Sequence, residues 1–148
     1  MASTYLSLHY HVVCAVKNRI PMIALEWQSR LHDYLGGTIR GLGGISQGIG
    51  GVTDHVHILM GLKATHTLAD IMREIKKASS SWVHQEINSQ DFAWQEGYAA
   101  FTVSASARDG VLRYIANQKE HHHKQSSKEE LIELLTMARV AYDPKYFE

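Results

Sequence analysis

Prolines are scarce in this 148-residue chain, which has two, and it carries a single cysteine. A lone thiol, Cys14, cannot close an internal disulfide, so no disulfide framework stabilises the fold and a reducing cytoplasm is the expected setting. Few prolines, no low-complexity tract and a hydrophobic fraction of 45% exclude a disordered or linker-rich chain. No apolar run approaches the ~20 residues that span a bilayer, and Met-Ala-Ser-Thr-Tyr at the start lacks the basic and apolar regions of a secretion signal. Absent too is an excess of charge. Lys+Arg and Asp+Glu both total 15, so no broadly cationic surface announces a nucleic-acid partner. The balance tilts only weakly, with eight Lys/Arg against five Asp/Glu in residues 1–80 and seven against ten in residues 81–148. A polyanion would have to be held by a local patch.

What the chain does have is histidine, ten in all, which prompts a search for metal chemistry. The length suits one domain over residues 1–148. Residues 5–16 are β-branched, aromatic and partly alternating, a strand pattern. Leu25, Leu31, Leu35 and Ile39 mark an amphipathic helix over 25–41, weakened by Gly36-Gly37 and ended by Gly41-Leu42-Gly43-Gly44. Residues 45–52 and 54–62 form two strands meeting near Thr53-Asp54. Thr67 caps a helix to about residue 88, with Asp70 as its partner. A strand over 98–104 follows. A helix over 110–123 is capped by Ser106 or Asp109, and a last helix over 128–139 by Ser127 with Glu130. The order is that of a ferredoxin-like α+β fold, an antiparallel sheet with helices on one face and two helices appended.

Within Asp54-His55-Val56-His57-Ile58, alternation along the strand puts His55 and His57 on one face, with Val56 and Ile58 turned to the core. Two imidazoles on a rigid strand can chelate one divalent cation; the same pattern also occurs without a ligand. Tyr114 and Gln118, four apart, lie one above the other on a helix. That layout suits a tyrosine nucleophile beside an amide ligand, or a packing tyrosine beside a solvated glutamine.

Taken together, Leu8-His9-Tyr10-His11-Val12-Val13 with Lys17-Asn18-Arg19, Asp54-His55-Val56-His57, Trp94-Gln95-Glu96-Gly97-Tyr98 with Phe101, Tyr114-Ile115-Ala116-Asn117-Gln118 and His121-His122-His123-Lys124 resemble the HUH nucleases. The resemblance is to the single-tyrosine transposases of the IS-two-hundred/IS-six-hundred-and-five insertion sequences. It implies a metal-dependent endonuclease and strand transferase acting on single-stranded DNA at hairpin ends. It assigns Tyr114 as the nucleophile that becomes joined to a 5′ phosphate, and His55, His57 and Gln118 as ligands of Mg²⁺ or Mn²⁺. It also implies a homodimer in which the tyrosine helix of one copy completes the site of the other, with Gly110 as a hinge or merely part of a turn. DNA binding would then fall to Lys17, Arg19, Lys76, Lys77 and Arg113. His9 and His11 are expected in structural or DNA-contacting roles. Asp54 either orients a ligand histidine or forms the turn, Trp94 and Tyr98 stack on a base or pack on the sheet, and the three-histidine run is a solvated helix end or a phosphate contact. The alternatives are a domesticated relative that processes chromosomal repeat hairpins, a module that binds single strands without cutting, and a small-molecule metal hydrolase.

Overall fold

The computed structural model describes residues 3–146. Four strands, β1 (His9–Ala15), β2 (Ile45–Val52), β3 (His55–Gly61) and β4 (Ala99–Val103), form one sheet in the order β2-β3-β1-β4. Each neighbouring pair is antiparallel. Helix α1 (Leu25–Gly41) joins β1 to β2, and α2 (Leu68–Trp82) joins β3 to β4. The element order, strand order and pairing are those of the ferredoxin-like α+β fold. Three short helices follow: α3 (Arg108–Ala116), α4 (Gln118–His121) and α5 (Ser127–Met137). Among the described residues no helix is long and apolar enough to cross a membrane.

The alternation of each strand divides the molecule into two layers. Val12, Cys14, Val56, Ile58 and Met60 pack against Leu31, Leu35 and Ile39 of α1 and Ile71, Met72 and Ile75 of α2 in the main core. Every residue of β3 is buried, so its second face is covered as well. There Leu59 packs with Val103 and Ile115 in a smaller cluster with Val111, Leu112 and Tyr114. The central strand thus presents a wholly apolar face to α1 and α2, and His55, His57 and Leu59 to the C-terminal helices. Both histidines sit at a covered position of the sheet, not at its solvated rim.

Several local features differ from expectation for identifiable reasons. β1 begins at His9, four residues later than the pattern of residues 5–16 indicates. Helix α1 continues through Gly36, which is buried, because a Cβ there would already stand 3.2 Å from Ser46 Oγ; the glycine lets the helix approach β2. Thr67 caps α2 by accepting from the Asp70 amide at 3.3 Å, but the helix closes at Trp82 into a π-helical turn, Val83–Ile87. The expected helix 110–123 is two helices, broken at Asn117 (φ −99°, ψ 20°), and Ser106 bonds Ser104 instead of capping. The last capping box is formed by Ser126 and Glu129, one residue earlier than Ser127 and Glu130. Trp94 lies in the main core, its indole N–H donating to Ser79 Oγ at 2.9 Å, which removes it as a platform for a base.

Candidate active site

The one-residue shift of that cap has a large consequence. With Ser126 and Glu129 occupied at the helix end, Ser127 and Glu130 turn inward and are buried. Glu130 Oε1 accepts from His57 Nε2 at 2.8 Å and stands 3.2 Å from His55 Nε2. Gln118 places Oε1 3.1 Å from His55 Nε2 and donates through Nε2 to Glu130 Oε2 at 3.0 Å. His122 Nε2 reaches both Gln118 Oε1, at 3.0 Å, and Glu130 Oε1, at 3.1 Å. The phenol of Tyr114 donates to Glu130 Oε2. Its ring lies 5.6 Å from that of His57 in the same chain.

Helix α3, which carries Tyr114, is seated by glycine. Gly48 pairs with Leu59 and Gly50 with His57 across β2 and β3. A Cβ at Gly48 would come within 2.6 Å of Leu112 Cδ2, and one at Gly50 within 2.2 Å of the Ile115 carbonyl oxygen. These glycines supply space for close approach, so backbone of the tyrosine helix rests directly on the strand beside the histidines.

The donor set fits a divalent cation. One nitrogen or oxygen from each of His55, His57, His122 and Glu130 lies within 4.8 Å of all the others, and Gln118 Oε1 is among them. A metal-binding imidazole must turn a lone pair inward and give its other N–H to an acceptor. Both strand histidines have one. His55 Nδ1 donates to Asp54 Oδ1 at 2.7 Å, and His57 Nδ1 lies 2.7 Å from His11 Nε2. Burial, and then the neighbouring His57, lower His11 to about 3 despite the pull of Glu130, so it is neutral: it donates to His57 Nδ1 while His57 Nε2–H serves Glu130, and accepts from Nδ1–H in the tautomer that turns the Nε2 lone pair to a cation. Asp54 is itself fixed by Ser127 Oγ, which donates at 2.9 Å and accepts from Arg19 Nη1 at 3.0 Å.

Charges follow from this packing. Burial works against ionisation of Glu130, but the hydrogen bonds from His55 and His57 outweigh it and hold the carboxyl far below its usual range. Burial likewise opposes a charge on His55, yet its bonds to Asp54 and Glu130 raise it to about 9. His57 is lowered, chiefly by burial. Tyr114 is raised well above its ordinary value by burial and then by Glu130. The phenol therefore stays protonated, and reaction at its oxygen needs a proton acceptor in contact with it. Glu130 is that contact. Cys14, pushed up to about 12 by burial against the opposing effect of Lys76, is no rival nucleophile.

Residues 4–118 match the family model described as "Transposase IS200 like". The chain belongs to the IS200-like transposase family. It is 26% identical over 119 residues to the ISDra2 transposase TnpA of Deinococcus radiodurans, covering 76% of this chain and 85% of that protein. A crystal structure of a putative transposase from Deinococcus radiodurans superposes with a TM-score of 0.63 at 25% identity, covering 80% of this chain and 96% of the other. A REP-associated tyrosine transposase bound to a REP hairpin shares the fold, with a TM-score of 0.60 at 14% identity over 82% of this chain and 74% of its own.

In this transposase-family chain, Tyr114, His55, His57 and Gln118 are brought into one cluster from a strand and two helices. Sequence reasoning missed Glu130 and His122, both beyond the residues that match the family model. A signal existed for His122: Tyr114, Gln118 and His122 recur every four residues. The three-histidine run is thus only in part a solvated end, because the His122 side chain is 8% exposed. His11 supports His57, and Asp54 orients His55. His9 bonds Gln47 Oε1 at 3.0 Å, away from the cluster. Among the expected DNA-binding residues, Arg19 reaches the site through Ser127, Lys17 is exposed in the same turn, and Arg113 is exposed next to Tyr114. Lys76 is half-buried and donates to the Gln95 carbonyl at 2.8 Å, while Lys77 is exposed on α2, across the sheet from Tyr114. Gly110 lies inside the first turn of α3, not before it.

Proposed function

We propose that the chain cuts and rejoins single-stranded DNA at the hairpin ends of a mobile element through a phosphotyrosine on Tyr114. The observation that carries this reading is the convergence of Tyr114 Oη, the Nε2 atoms of His55 and His57, and Gln118 around the carboxylate of Glu130. The Tyr114 oxygen attacks the scissile phosphorus while Glu130 Oε2, held ionised, accepts the phenol O–H and keeps it aligned. The P–O3′ bond breaks and the phenol proton ends on the departing O3′, leaving the 5′ phosphate esterified to Tyr114 and a free 3′ hydroxyl. Attack by another 3′ hydroxyl reverses the step and returns the proton to the phenol, so strand exchange needs no nucleotide hydrolysis. A divalent cation held by His55, His57 and Gln118, with Glu130 and His122 in reach, would neutralise charge developing on the phosphate. Nitrogen-rich ligation favours Mn²⁺ over Mg²⁺.

The active form is a homodimer in this proposal, with the Gly48 and Gly50 seat able to take α3 of its own chain or of a second copy. Lys17, Arg19, Lys76, Lys77 and Arg113 supply phosphate contacts. Binding then falls with salt in proportion to the number of these contacts. The hairpin-bound neighbour of the same fold supports a hairpin partner. It also keeps open a second reading, a domesticated relative that processes chromosomal repeat hairpins.

The test incubates labelled single-stranded DNA, from the ends flanking the gene or from repeat hairpins, with protein and Mn²⁺ or Mg²⁺. A metal-dependent, protease-sensitive adduct is expected on a denaturing gel, and the substrate that forms it separates the two readings. Tight hairpin binding without any adduct would identify a non-cutting binder instead. The ligand assignment is tested by calorimetry: His55→Ala and Glu130→Ala should each weaken Mn²⁺ binding by about tenfold or more, the range seen when metal-site partners are lost. Unchanged affinity in both variants would reject the cluster as the metal site.

A further inference from the structure

Beside the metal-ligand cluster, and distinct from it, a cavity of about 390 Å³ opens between β4, β1 and α5. Its size is within the range of pockets that enclose small organic groups. The walls are mostly apolar and aromatic, formed by Tyr98, Phe101, Leu131, Leu135 and Tyr142, and among the described residues one cation, Arg19, and one carboxylate, Glu96, line them. Neither the chemistry at Tyr114 nor the metal ligands account for this composition.

Three observations connect the cavity to a polymer running through the active site. Val13 and Ala15 line it, and these residues pair in register with His57 and His55. Cavity and ligands are thus one strand spacing apart, about 4.8 Å, within reach of the nucleotide next to a phosphate bound at the histidines. Arg19 lines the cavity and is tied into the site through Nη1, which donates to Ser127 Oγ. A guanidinium carries five N–H donors, so this bond leaves others for an acceptor on a ligand at the cavity wall. Finally, Lys76 Nζ lies 5.7 Å from the centre of the Tyr98 ring, placing a second positive charge at that wall. Aromatic faces, a guanidinium donor and positive charge make up the chemistry that holds an unpaired base and its backbone.

Resting on the transposase reading, we propose that this cavity receives the unpaired nucleobase of the nucleotide adjoining the scissile phosphate. Tyr98 and Phe101 pack against the base, and Arg19 donates to its edge or to its phosphate. The cavity is then what fixes the phosphate relative to Tyr114, and α5 shapes both compartments, with Ser127 and Glu130 on the metal side and Leu131 and Leu135 in the pocket.

The experiment measures binding of single-stranded oligonucleotides that are intact or carry one abasic site immediately 5′ or 3′ of the cleaved bond, against wild type, Tyr98→Ala and Phe101→Leu. Tyr98 is 40% exposed, so its truncation does not open the core, and Phe101→Leu keeps an apolar side chain while removing the ring. For wild type, one of the two abasic positions should weaken binding by about tenfold or more, as expected for a stacked base. In both variants intact DNA should bind more weakly and that abasic penalty should shrink towards none. A penalty that persists in full in the variants, or no penalty at either position with wild type still binding DNA tightly, overturns the pocket assignment and leaves the transposase reading intact. Failure of wild type to bind any single strand overturns both.

Discussion

Replacing Tyr114 with phenylalanine should abolish the covalent adduct and lower strand cleavage on the order of 10³-fold or more, as loss of a nucleophile does elsewhere. The substitution removes one oxygen and nothing else. The ring keeps its packing against His57, at 5.6 Å, and His121, at 5.4 Å. Glu130 loses one donor but keeps His57 Nε2 and Gln118 Nε2, so no buried carboxylate is stranded and the fold should hold. Affinity for Mn²⁺ and for hairpin DNA should stay within about threefold of wild type, because the phenol is neither a ligand nor a charge. Cleavage near the wild-type rate would reject Tyr114 and, with it, the phosphotyrosine route.

A contrast with Glu130 sharpens that expectation. Tyr114 is proposed to act only in bond breakage, whereas Glu130 touches the phenol, the amide of Gln118 and both strand histidines. Its replacement should therefore depress metal affinity and cleavage together. Separate behaviour of the two variants distinguishes a nucleophile from a residue that holds the site in register.

How legible all this was in the amino-acid sequence depended on the range of the interactions. Period-two alternation alone placed His55 and His57 on one face of β3 with Val56 and Ile58 on the other. The spacing of Tyr114 and Gln118 placed both on one helical face, and Leu25–Gly41 emerged with its expected bounds. The misjudged elements were settled by tertiary contacts. Ser127 and Glu130 have the spacing of a capping box, and so do Ser126 and Glu129; only the bonds of Ser127 to Asp54 and of Glu130 to the histidines decide between them. His122 continues the four-residue spacing of Tyr114 and Gln118, but it lies in a polar run, and only Gln118 and Glu130 show that it is drawn inward. Gly48, Gly50 and Gly51 weaken β2 as a strand by any local criterion. The purpose of Gly48 and Gly50 is visible only once another helix is laid across them, whereas Gly51 makes room for the backbone of His55.

Gly50→Ala should leave the histidine cluster in place and yet lower cleavage by about 10²-fold, the effect expected of an ångström-scale misplacement of a reacting group. A methyl at residue 50 would stand 2.2 Å from the Ile115 carbonyl oxygen, an atom of helix backbone that cannot rotate away. The strand is paired with β3 from Gly48 to Val52, whereas α3 rests on the small cluster around Leu59 and Ile115, so the helix is what yields. It carries Tyr114 away from the phosphate position, while His55 and His57, fixed by β3 and by Asp54 and His11, do not move. Mn²⁺ affinity should accordingly change by less than about threefold, apart from what Gln118 contributes. Gly41→Ala is the control, since a Cβ there meets nothing within 4 Å and alanine favours a helix; it should be silent in cleavage. If Gly50→Ala cleaves as well as Gly41→Ala, the tyrosine helix does not use this seat during the reaction. Loss of metal binding in Gly50→Ala would mean instead that β2 and the histidines move with it, and that the seat supports the whole site and not the nucleophile alone.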